Sequence, residues 1–118
     1  MSNAFQGRTT FDQNITGWDV SNVITMQGMF GNASSFNQPI GDWNVSSVTN
    51  MRSMFSGAST FNQPLGDWNF SMLTNMKDLF RYASSFNQDL SDWNVTSATN
   101  MIGAVSYTHL TLPTKRIV

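Results

Sequence analysis

The stretch FNQPIGDWNVSSVTNMRSMFSGAST, residues 36–60, is followed without a gap by FNQPLGDWNFSMLTNMKDLFRYASS, residues 61–85, and then by FNQDLSDWNVTSATNMIGA, residues 86–104. Upstream, FDQNITGWDVSNVITMQGMFGNASS fills residues 11–35 in the same register, so the period is 25 residues with no insertion. A period of this length dictates architecture before any local propensity does. Each copy is one structural unit that buries its apolar side only against its neighbours. Trp18, Trp43, Trp68 and Trp93 share one column, and Met26, Met51, Met76 and Met101 share another. The register reaches back over residues 1–10, with Met1 in the Met26 column and Phe5 in the Phe30 column. The chain is therefore expected to start inside a repeat of a longer parent protein.

Within one copy, Ile40, Trp43, Val45 and Val48 follow the spacing of a short strand that turns alternate residues inward and then bends, with Trp43 to Val45 as the strand itself. Pro39 and Pro64 stand just before it, where a missing N–H does least harm. Val48, Met51, Met54, Phe55 and Ala58 then recur at intervals of three and four, which predicts a short helix or 3₁₀ turn ending near Gly57. Side by side at about 4.8 Å, equivalent residues would form ladders of Trp and Phe. The expected fold class is an α/β repeat solenoid without caps, one short parallel strand and one short helix or 3₁₀ turn per repeat. Its organisation is a partial repeat over 1–10, full repeats at 11–35, 36–60 and 61–85, and a truncated one at 86–104. The register fails after Gly103: Val105 falls where Phe30, Phe55 and Phe80 set phenylalanine, and VSYTHLTLPTKRIV matches no column. Residues 105–118 resemble translated sequencing adapter and are read as a non-native tail.

The run VTNMRSMFSGASTF, Val48 to Phe61, resembles the BspA-like leucine-rich repeat of bacterial surface proteins. The pairing of WNVSSVTNM with MFSGASTFNQ is similar to a short repeat of bacterial lipoproteins and wall-anchored proteins. The resemblance implies a leucine-rich-repeat-like solenoid, exposure at the bacterial cell surface or outside the cell, and adhesion to host or matrix proteins. It brings no catalytic residues. Two positions depart from the pattern: alanine stands where the broader family often has cysteine, and Gly17 replaces the aspartate of Asp42, Asp67 and Asp92.

Composition narrows the function classes. Cysteine and glutamate are absent, and the one histidine, His109, lies in the foreign tail. Catalysis needs a nucleophile with a base, a metal cluster or a pair of tuned carboxylates. Aspartates spaced along a regular ladder are a poor way to build one such pocket, so the chain is read as no enzyme, with no cofactor and no metal site. The formal charge is −1; without the tail, Arg8, Arg52, Lys77 and Arg81 stand against seven aspartates, a balance of −3 that does not suit nucleic acid. No run of eighteen apolar residues marks a membrane span.

The outward positions flanking the expected strand are small and polar: Gly41, Asp42 and Asn44, then Gly66, Asp67 and Asn69, then Ser91, Asp92 and Asn94. Asp42, Asn44, Asp67, Asn69, Asp92 and Asn94 form the candidate partner-binding face, toward an extracellular protein or glycan. Like carboxylates about 5 Å apart repel by roughly 0.8 kcal/mol per pair in water. Turn or loop hydrogen bonds are expected to hold them in preference to an ion. Asn37, Asn62 and Asn87, with Gln38, Gln63 and Gln88, are expected to form side-chain amide ladders that satisfy buried turns. The expected function is an adhesin-like binding scaffold. A passive spacer that holds another domain away from the cell is the alternative, because the face is monotonous.

Overall fold

The computed structural model describes residues 1–104; the tail at 105–118 lies outside the described residues. Its elementary event is an alternation of hydrogen bonds along one half of each coil. The N–H groups of Met51, Ser53, Phe55 and Gly57 donate across to the carbonyls of Asn75, Lys77, Leu79 and Arg81 at 2.7–3.0 Å. Those between them, of Met54, Ser56 and Ala58, close tight turns onto Met51, Ser53 and Phe55 at 3.0–3.2 Å. The same alternation recurs from Met26 to Ala33 and from Met76 to Ala83. The backbone N–H groups of this half thus alternate between acceptors within the coil and acceptors in the next one.

That alternation corrects the expected α/β repeat solenoid. Among the described residues there is no helix, and regular strand is replaced by isolated parallel bridges joining Thr25, Asn50, Asn75 and Asn100. The segment read as helical cannot be one, because two positions in each copy have left-handed backbone. Gly28, Ser53, Asp78 and Gly103 have φ of 56–67° in one column, and Asn32, Gly57 and Tyr82 have φ of 56–74° in the other. A left-handed residue every fourth position breaks an α-helix and suits the third residue of successive type II turns. The expected strand at 43–45 fails as well, since the Trp43 N–H closes a turn onto the Ile40 carbonyl and the Val48 N–H closes another onto Val45.

Coils of 25 residues therefore lie over one another through turns. Phe5, Phe30, Phe55 and Phe80 stack with ring centroids 5.5–5.7 Å apart, beside a second row of Phe11, Phe36, Phe61 and Phe86 at 5.7–6.0 Å. The two rows meet inside each coil at 4.0–4.4 Å. Met26, Met29, Met51, Met54, Met76 and Leu79 fill the space beside them, fully buried. Tryptophan ties the coils together. Nε1 of Trp43, Trp68 and Trp93 donates to the carbonyls of Ile15, Ile40 and Leu65 in the preceding coil at 3.3, 3.0 and 2.8 Å. Trp18, in the same column, is 44% exposed. The body measures 35 × 30 × 20 Å with a radius of gyration of 12.7 Å. A compact domain of this length has about 13.5 Å, so the chain forms a globule and not an elongated superhelix.

Candidate functional site

The polar flank on the Trp43–Val45 side of the coils is built by turns that point Trp and Val inward and leave the residues between them outside. Trp43, Val45, Trp68, Phe70, Trp93 and Val95 are buried, while Asp42, Asn44, Asp67, Asn69, Asp92 and Asn94 are exposed. The six candidate residues thus share one flank but divide in chemistry. Asn44 Oδ1 accepts from the Ser46 N–H at 3.1 Å and from its hydroxyl at 2.7 Å; Asn94 does the same with Thr96 at 3.1 and 2.8 Å. These carbonyl oxygens are consumed by their own Asx turns.

Asp42, Asp67 and Asp92, with Asn69, make no side-chain hydrogen bond among the described residues. The turn bonds expected for these carboxylates fall to other residues: Asn14, Asp19 and Asp89 receive Thr16, Ser21 and Ser91. The Ser21 hydroxyl and backbone N–H hold the Asp19 carboxyl below its ordinary value, and Ser91 does the same for Asp89. A charged acceptor that already receives hydrogen bonds resists protonation.

Asp42 and Asp67 line an open groove of about 320 Å³ with Pro39, Pro64, Gly41, Gly66, Gln88 and Asp89. Its third carboxylate, Asp89, was not among the candidate residues of the sequence reading, and Asp92 does not line it. The signal was present, because Asp89 stands in the column of Pro39 and Pro64 and so at the groove wall. Gly41 is confined by its neighbour: a Cβ there would lie 2.6 Å from the Pro64 carbonyl oxygen. Among the described residues no group of three or more acidic or histidine side chains is placed to hold a metal ion.

Above the groove runs the amide ladder. The N–H groups of Asn37, Asn62 and Asn87 each donate at 2.9 Å to the side-chain oxygen of Asp12, Asn37 and Asn62, one coil back. Gln38, Gln63 and Gln88 Nε2 reach the same residues' carbonyls at 3.0 Å. The ladder runs along the partly exposed rim and not over buried turns.

The opposite flank, formed by the half-coils 1–10, 26–35, 51–60 and 76–85, carries the cations. Arg8, Arg52, Lys77 and Arg81 all fall in these half-coils, whereas Asp12, Asp19, Asp42, Asp67, Asp89 and Asp92 fall in the others and only Asp78 joins the cations. The Arg81 guanidinium sits over the Tyr82 ring, 4.9 Å from its centroid, donates to the Tyr82 hydroxyl at 3.1 Å, and lies 3.8 Å from the Asp78 carboxylate. The sequence reading did not single out these residues.

Fold and flanks together define a repeat-built scaffold whose core is a set of side-chain ladders and whose two polar flanks have opposite charge. The chain belongs to the family described as "Mycoplasma protein of unknown function, DUF285", whose model matches residues 1–111. That match overturns the resemblance to BspA-like leucine-rich repeats, and the turn-only coil explains the difference, since a leucine-rich repeat requires a strand that this backbone does not form. No curated protein and no solved structure matches the chain. No helix among the described residues is long and apolar enough to cross a membrane.

Proposed function

We propose that the chain is part of a bacterial cell-surface protein and acts outside the cell as a non-catalytic, adhesin-like scaffold that binds a protein or glycan through the flank of Asp42, Asn44, Asp67, Asn69, Asp92 and Asn94. One observation carries this reading. Among the described residues every buried side-chain polar atom has a partner, yet Asp42 and Asp67 stand unpaired side by side at the mouth of a groove. A fold that satisfies its polar groups so fully and leaves these carboxylates free has kept them for solvent or a partner. The groove walls suit a shallow ligand, because Pro39, Pro64, Gly41 and Gly66 are small or rigid and lose little entropy on contact.

The test is binding of the immobilised chain to a panel of glycans and extracellular matrix proteins, with Asp42→Asn and Asp67→Asn introduced together. A ligand lost by the double variant, with unchanged thermal stability, supports the reading. The repetition of Gly-Asp-Trp-Asn at residues 41–44 and 66–69 favours the second reading, a passive spacer. A panel that yields no ligand dependent on these carboxylates leaves the spacer as the function.

A further inference from the structure

We propose that Arg81 and Tyr82, with Lys77 and Arg52, form a second binding point, on the flank opposite the groove, for an anionic saccharide: a sugar ring that carries carboxylate or sulfate. The first ground is a break in the repeat. The two positions are Gln6-Gly7, Gly31-Asn32 and Ser56-Gly57 in the other copies, and Arg81-Tyr82 only here. The second position has left-handed backbone in every copy, which glycine and asparagine adopt readily and an aromatic residue does not. Inside the protein the Tyr82 side chain gains only the exposed contact with its neighbour Arg81, and no core packing. Phe80 and Ala83 on either side are buried like Phe30, Ala33, Phe55 and Ala58 in the two preceding copies, while Tyr82 is 67% exposed. Unfavourable backbone kept for an outward-facing ring is the mark of a residue retained for contact.

The ring is also held ready. Arg81 covers one face and grips the hydroxyl, and Asp78 steadies the guanidinium, so the other face of the ring is presented without further ordering. Arg52 and Lys77 occupy equivalent positions in consecutive coils and add positive charge on the same flank. A sugar stacks the C–H groups of its ring on an aromatic face, and a planar guanidinium matches carboxylate or sulfate through paired hydrogen bonds. A peptide is less well served. Its backbone would need free N–H groups, and those of Gly57, Asp78 and Phe80 are already donated to the carbonyls of Arg81, Ile102 and Ala104. The groove that might take peptide side chains is on the other flank.

The experiment is a titration of the whole chain with a heparin-derived oligosaccharide, with uncharged dextran and poly-glutamate as the comparison ligands. Arg81→Ser together with Tyr82→Gly installs the residues of the preceding copy. This variant is expected to lose tenfold or more in heparin affinity while its melting temperature holds or rises. Arg81→Lys keeps the charge but not the planar fork, and is expected to lose affinity as well; this arm remains informative if the double variant fails to fold. Wild-type chain that ignores heparin, binds poly-glutamate equally well, or retains full affinity as Arg81→Lys would overturn the proposal. Loss of the groove carboxylates leaves it untouched, so failure here and failure of the groove reading are separable.

Discussion

Gly57 shows how much one position carries. Its φ of +74° is left-handed, and a Cβ there would collide with Asn32 Oδ1 from the coil before. Gly57→Ala is expected to cost about 1–2 kcal/mol, mainly from backbone strain because the Asn32 amide can turn aside, read as a lower midpoint in urea. Tyr82 occupies the same column one coil later, and Tyr82→Gly should stabilise the fold by up to about 1 kcal/mol, because the release of left-handed strain outweighs the extra freedom of the unfolded glycine. A fall in midpoint for that variant would show that the ring supports the fold. Trp68→Phe removes the 3.0 Å bond from Nε1 to the Ile40 carbonyl, which still accepts from the Trp43 N–H. A loss of about 1–2 kcal/mol is expected, because the carbonyl is not orphaned.

The elements are ladders, each running at right angles to the chain. In the amide ladder, Asn62 Oδ1 accepts from the Asn87 N–H and from Gln88 Nε2; Asn62→Ala strands the Asn87 N–H on the partly exposed rim, while Gln88 Nε2 keeps the Asn62 backbone carbonyl, and should cost about 1 kcal/mol. Asn62→Asp should cost under half of that, since Asp12 already fills this column and accepts from Asn37 at the same 2.9 Å. This ladder, the Phe rows and the Trp column were legible in the sequence, because a period of 25 without insertion puts like over like. The conformation between the ladders was not. Spacings of three and four mark an apolar face for a helix, and overlapping four-residue turns with left-handed corners produce the same face. Gly7, Asn32 and Gly57 in one column, and Asn3, Gly28, Asp78 and Gly103 in the other, were signs of those corners, but Ser53 and Tyr82 are not residues from which positive φ is inferred.

Across the whole molecule, burial rises inward from the first coil. Phe55 has Phe30 and Phe80 above and below and Phe61 alongside, whereas Phe11 is only half-buried. Phe55→Ala is expected to cost about 3–5 kcal/mol. In hydrogen exchange the amides of Phe5 and Gly7 should open well before those of Phe55 and Gly57, although both pairs donate across to the next coil. Equal protection would mean that the coils unfold as one unit. Acid should weaken the fold below the ordinary carboxylate value of 3.8, because Asp19 and Asp89 hold their protons less tightly when folded than when unfolded. Their contribution is present above that value and fades as pH falls through the depressed folded value. Ser21→Ala with Ser91→Ala should flatten the acid limb of a midpoint-against-pH curve.

By itself the amino-acid sequence determined the repeat, its length and which side chains turn inward, since strict periodicity and apolar spacing survive any change of local backbone. Only the tertiary structure decided that the coil is made of turns, that Asp89 and not Asp92 joins Asp42 and Asp67 at the groove, and that cations and carboxylates lie on opposite flanks. Those outcomes depend on where each N–H finds its acceptor, and half of the acceptors in the cross-bonded half of each coil belong to the next one, 24 residues along the chain.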